Sequence, residues 1–245
     1  MESAEAPPLE IGGTLARAFA LIGQFPLRIF GVAFLCGAVP THLVYYAISI
    51  QTAHGISRSL SSFETGFISE ISATVVAGLL IGTAGNDAGV AAGFRRLPQL
   101  VAAGLLKGLG SMLAAAALLV PYFFVATRWS VVGAVVASEE VGINAAFGRS
   151  SDLTDGVRLR ILGLLMVSGV AQILLFALFV ALLVPITGVA VALQDFTLQP
   201  AAFAMRLLWE TLTIGFSAVL QCALYVALRE RREGPVTSHL SEIFA

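Results

Sequence analysis

Apolar positions run along this chain in long unbroken stretches rather than in alternation or narrow stripes. Mostly apolar stretches at 27–50, 69–93, 104–127, 160–184 and 204–228 each reach the roughly 20 residues that one helical crossing of a bilayer needs. Polar segments separate them: 51–66 with Ser57, Ser59, Ser61 and Ser62, then 139–159, then 185–203 with Gln194 and Asp195. Ahead of the first run, Ile11, Leu15, Phe19 and Ile22 share one helical face while Arg17 and Gln24 fall on others. Residues 9–25 therefore predict an amphipathic helix lying in the membrane interface.

Five crossings would leave the two ends on opposite sides, and the cations oppose that. Arg229, Arg231 and Arg232 crowd the end of the last run, while Arg17 and Arg28 flank the first, so both ends read as cytoplasmic. A sixth, irregular pass is expected within 121–138, where Pro121 should break the third run and Arg128 interrupts the apolar residues. Such a broken pair of helices is tolerated at membrane depth only where protein or a watery cavity satisfies its backbone. Six passes place Arg17, Arg28, Arg95, Arg96, Lys107, Arg149, Arg158, Arg160, Arg229, Arg231 and Arg232 inside, and only Arg58, Arg128 and Arg206 outside. The predicted fold is an all-α polytopic membrane helix bundle of about six passes, one broken around Pro121–Ala137. It divides into an interfacial segment 1–26, a bundle 27–228 and a cytoplasmic tail 229–245.

Composition supports the membrane reading. Hydrophobic residues make up 58% of the chain and charged residues 12%, against about 25% charge in a soluble domain. A net charge of −1 offers no field for nucleic acid. Cys36 and Cys222 lie inside apolar runs and read as small buried hydrophobes, while His42, His54 and His239 have no ligand spacing. No metal, cofactor or catalytic constellation is expected. The first residues, with Glu2, Glu5 and Glu10 and no basic n-region, do not read as a secretory signal.

Small residues concentrate in the second run. Gly78, Gly82, Gly85, Gly89 and Gly93 form one stripe that would let helix backbones approach closely. Within it stand Asn86 and Asp87, the latter eight residues from Arg95, or about 12 Å at helical rise. Two readings stay open there: a structural ion pair with a neighbouring Arg, or a cation or proton relay or headgroup contact.

Another group of polar residues surrounds the broken pass. Arg128-Trp129-Ser130 is followed by Glu139 and Glu140, then by Ala146-Phe147-Gly148-Arg149-Ser150-Ser151-Asp152-Leu153-Thr154-Asp155-Gly156-Val157-Arg158-Leu159-Arg160-Ile161, and the last run ends Leu228-Arg229-Glu230-Arg231-Arg232-Glu233-Gly234. Arg149 has Glu139, Glu140 or a lipid phosphate as partners, and Arg128, Arg158 and Arg160 are headgroup or ion-pair candidates. Over about residues 120–240 these strings resemble the membrane domain that accompanies some bacterial glycerophosphoryl diester phosphodiesterases. They also resemble uncharacterised stand-alone inner-membrane proteins of the same pattern. The resemblance implies a bacterial inner-membrane location. It does not carry over the hydrolytic activity, which in two-part relatives belongs to a separate soluble barrel. The family's proline before the glutamate is replaced here by Gly133 and Ala134.

Three function classes follow. The leading expectation is a non-enzymatic membrane protein that binds lipid, a partner membrane protein or a second copy of itself, in envelope or lipid homeostasis. The alternative is a small transporter or channel using Asp87 and Asn86. The weakest is a membrane-embedded lipid enzyme, because His42 stands without a partnered nucleophile and the RSxxLTxGxR run holds no base.

Overall fold

A computed structural model describes residues 9–52, 61–82, 94–139, 141–187 and 200–234. These are helical throughout, with no strand among them. The first helix, α1 (Ile11–Gln24), is followed by α2 (Pro26–Val32), a π-helical segment Ala33–Ala38, and α3 (Val39–Thr52). Then come α4 (Ser61–Gly82), α5 (Leu97–Ala117), α6 (Leu119–Arg128) and α7 (Val132–Ser138). Last are α8 (Ile143–Thr154), α9 (Arg158–Thr187) and α10 (Pro200–Glu233). Five stretches are long and apolar enough to cross a membrane: Pro26–Val44, Leu97–Ala117, Val120–Ser138, Arg158–Leu182 and Phe203–Glu233; Phe67–Ile81 in α4 is a shorter apolar helix.

The third apolar run breaks earlier than the sequence suggests. Helix α5 ends at Ala117, and Leu118 is extended with φ 176° and ψ 164°. Proline supplies the reason: the ring of Pro121 collides with the carbonyl four residues back, that of Ala117, so the helix must stop there. Pro121 itself lies in the first turn of α6, where a missing N–H costs nothing. The 104–127 run is therefore divided between α5 and α6, and the irregular pass extends over 120–138 with a turn at 129–131. Helix α6 folds back along α5, bringing Trp129 against Gly110.

Helix α4 is central. Residues 72–80 are all buried, and α4 packs on α5, α7, α10 and the π segment. The crossing with α7 relies on Gly78 and Gly133: a Cβ on Gly133 would meet the Thr74 carbonyl oxygen at 2.5 Å, and one on Gly78 would meet Leu100. Gly82 ends the described part of this helix, while Gly85, Gly89, Gly93, Asn86 and Asp87 lie outside the described residues, as does Glu140.

Helix α1 packs along α10 with Thr14, Ala18 and Leu21 buried. Of the expected Ile11–Leu15–Phe19–Ile22 face, Ile11, Leu15 and Ile22 are partly buried against the core, while Phe19 is 60% exposed with its ring against Phe216. The small residues of α1 face the protein because a helix lying against α10 needs close approach. The last helix continues to Glu233 rather than ending at 228, so Arg229, Arg231 and Arg232 are helical. At the other end of α8, Gly156 makes the turn into α9 with φ 76°, a conformation glycine adopts without cost.

Candidate functional site

Polar side chains gather in three places, and the distinction among them decides what each can do. The first is an ion-pair network at one end of the bundle. Arg149 on α8 donates Nε to Glu139 at 2.8 Å and also pairs with Glu233, which accepts from Arg229 at 2.8 Å. Tyr225 donates to Glu139 at 3.0 Å and accepts from Ser138 at 2.7 Å. Arg96 donates to the carbonyls of Val136 and Ala137, which α7 leaves unpaired at its C-terminus. Arg17 on α1 meets Glu230 at 2.6 Å. This is a clasp binding α1, α7, α8 and α10 together, and it consumes Arg149 and Glu139 in structural pairing.

Arg128 and Arg158 sit differently. Both guanidinium groups lie over the Phe124 ring, at 5.9 and 5.2 Å from its centroid. The Arg128 carbonyl accepts a hydrogen bond from Ser150 of α8 at 3.0 Å. Arg128 thus comes close to Arg158, from which the charge sorting had separated it. The reason is that α6 returns along α5 after the Leu118 break, carrying residue 128 back toward α8. Arg160 is exposed.

The second place is a half-enclosed cavity of about 420 Å³ between α4, α5, α6, α9 and α10. Its polar lining includes Glu70, Lys107, Ser111, Tyr122, Ser168, Gln172, Ser217 and Gln221; Leu164, Leu165 and Leu220 are among its apolar walls. Lys107, expected at the inner end of its span, lies instead ten residues into α5. It is only 3% exposed and bonds Glu70 at 2.8 Å. An ammonium at such depth is costly unless it is paired or faces a polar space. Gln221 Oε1 is buried with no hydrogen-bond partner. The outer wall is α9, of whose apolar stretch 11% is buried, against 67% for α10.

The third place is the surroundings of His42, which read as solitary in the sequence. His42 Nδ1 lies 2.8 Å from Glu210 of α10, whose other oxygen accepts from Arg206 at 3.1 Å. Both His42 and Glu210 are buried, and His42 Nε2 has no partner. Thr41 and Ser72 share a 2.7 Å hydrogen bond nearby, and the π segment Ala33–Ala38 ends one turn before. The only signal in the sequence was the i,i+4 spacing of Arg206 and Glu210 inside the last apolar run; the pairing with His42 is tertiary.

Among the described residues no three metal-ligating side chains converge. Comparison with protein-family models, with curated proteins and with solved structures finds no match. Function rests on the site.

Proposed function

We propose that this is a non-enzymatic protein of the bacterial inner membrane that binds a lipid-like amphiphile within its helix bundle, in the service of envelope or lipid homeostasis. In this reading the chain crosses six times, α4 being the sixth pass, with both termini cytoplasmic and α1 lying at the interface. Kinship of residues 120–240 to the phosphodiesterase-associated membrane domain belongs to the same proposal.

The observation that carries it is the cavity between α6, α9 and the core. A polar floor with apolar walls matches an amphiphile better than a wholly polar solute. Its outer wall α9 is largely exposed, so a ligand dissolved in the bilayer has a sideways route past it. Charged and hydroxylic side chains at membrane depth are supported only by one another or by what occupies the space they line.

The test fills the cavity. Ser168→Phe and Ser217→Phe each put a ring into it, and both variants should lose most of the lipid retained by the wild type after gentle extraction and mass spectrometry. Unchanged retention in both would overturn the reading. A small transporter is the second reading, favoured by the buried His42–Glu210–Arg206 cluster beside a π-helical segment, a feature often found at functional sites.

A further inference from the structure

We propose that Arg128 and Arg158 together bind a phosphate group beside the Phe124 ring, where α6 meets the start of α9. It deepens the lipid-binding reading and rests on it for the source of the ligand, not for its chemistry.

Three observations converge. Two guanidinium groups lie over one ring, at 5.9 and 5.2 Å from its centroid, so both belong to one patch of positive charge. Their compensation is thin: Arg158 has only Asp155, at 3.1 Å and itself 64% exposed, and Arg128 has no acidic partner among the described residues. Arg17, Arg149, Arg206 and Arg229 each hold a carboxylate within 3.1 Å. Finally, Arg158 Nε is buried yet makes no hydrogen bond, leaving a donor without an acceptor.

Phosphate fits this arrangement for reasons of shape and charge. A guanidinium presents parallel N–H groups that match two phosphate oxygens, and two such forks neutralise a dianion or a diester with its surroundings. Arg158 also opens α9, at the positive end of that helix's dipole. From this point α9 presents Leu159, Met166, Val167 and Val170 outward, a surface along which acyl chains would lie. Arg149, also a candidate from its sequence context, is excluded because Glu139 and Glu233 already occupy it.

The experiment uses the full chain in a non-ionic detergent and measures binding of dioleoyl phosphatidate, dioleoylglycerol and inorganic phosphate by native mass spectrometry and competition. Phosphatidate should bind at least tenfold more tightly than dioleoylglycerol. Arg128→Gln should weaken phosphatidate about tenfold, the ratio expected for one lost charge-assisted contact, while Arg149→Gln leaves it unchanged. Competition by inorganic phosphate that is lost in Arg128→Gln identifies free phosphate as a ligand. Binding of phosphatidate alone identifies a lipid headgroup.

Equal affinity for the two lipids, or equal effects of Arg128→Gln and Arg149→Gln, overturns the phosphate site. Should Arg158→Gln fail to fold, Arg128→Gln still decides. Phosphatidate binding that is sensitive to Ser168→Phe but indifferent to Arg128→Gln would preserve the cavity reading and remove this one; the converse pattern would do the reverse.

Discussion

Gly133→Ala adds one methyl group, and its cost is set by backbone rather than by side chains. The new Cβ would stand 2.5 Å from the Thr74 carbonyl oxygen, 2.9 Å from Thr74 Cγ2 and 3.3 Å from the carbonyl carbon. A side chain could swing aside, but this oxygen belongs to α4, where residues 72–80 are all buried. The other side offers no slack either, since the Gly133 carbonyl would lie 3.1 Å from a Cβ on Gly78. Overpacking of this kind costs about 1–3 kcal/mol. Alanine recovers about 1 kcal/mol of helix propensity, which offsets part of the cost. The expected net is a destabilisation of about 0–2 kcal/mol against the wild type, and of about 1–3 kcal/mol against a variant that gains helix propensity alone. Gly148→Ala is the internal control, because nothing lies within 4 Å of a Cβ there and only the propensity gain remains. Reversible unfolding in mixed micelles of increasing SDS fraction reads both variants on one scale. If Gly133→Ala proves as stable as Gly148→Ala, the α4–α7 contact is not as close as described and the bundle centre must be redrawn.

Three further outcomes follow from the polar clusters, each read by the same unfolding assay. Glu70→Ala should cost about 3 kcal/mol because it strands the buried Lys107 ammonium; Lys107→Ala should cost less, since the Glu70 side chain is 38% exposed and recovers solvation. Tyr225→Phe removes the hydroxyl joining Ser138 to Glu139 and should destabilise by about 1 kcal/mol, in the range of hydrogen bonds between membrane helices. Arg17→Ala breaks a pair whose side chains are 44% and 31% exposed, so its effect should stay below about 1 kcal/mol.

The all-helical architecture was legible because lipid imposes a simple rule: a crossing must be long, apolar and internally hydrogen-bonded. The break near Pro121 was legible for the same reason, though its place was not. Proline acts on the carbonyl four residues earlier, so the signal at 121 ends a helix at 117 and transfers 119–120 to the next one. Pairings between distant segments stayed hidden. Nothing in the run around His42 names Glu210, and nothing around Lys107 names Glu70, because each pair forms only when two helices settle into register. The Glu139–Arg149 contact was accessible since its members are close in sequence, whereas the second partner, Glu233, is brought in by α10. Arg128 was misplaced by a topology argument that counts charges per loop; it lies within a helix that doubles back, where loop counting has no purchase.

Helix α4 shows how a helix at the centre of the bundle carries polar residues. Its residues 72–80 are all buried, and its polar residues are distributed by neighbour rather than by solvent. Ser72 reaches Thr41 on α3, Glu70 reaches Lys107 on α5, and Thr74 returns its hydroxyl to the Glu70 carbonyl while its own carbonyl meets Gly133. These three residues thus have partners within the bundle. A lipid-facing helix such as α9 has no such partners and must be apolar almost throughout. The two helices therefore read as opposite extremes of one physical requirement: the central one can afford Glu70, Ser72 and Thr74 because its neighbours are fixed, and the peripheral one carries Ser168 and Gln172 only where it faces the cavity. The polar residues of α9 thus mark the face it turns to the cavity, and it is this face, not the outward apolar one, on which the proposed function rests.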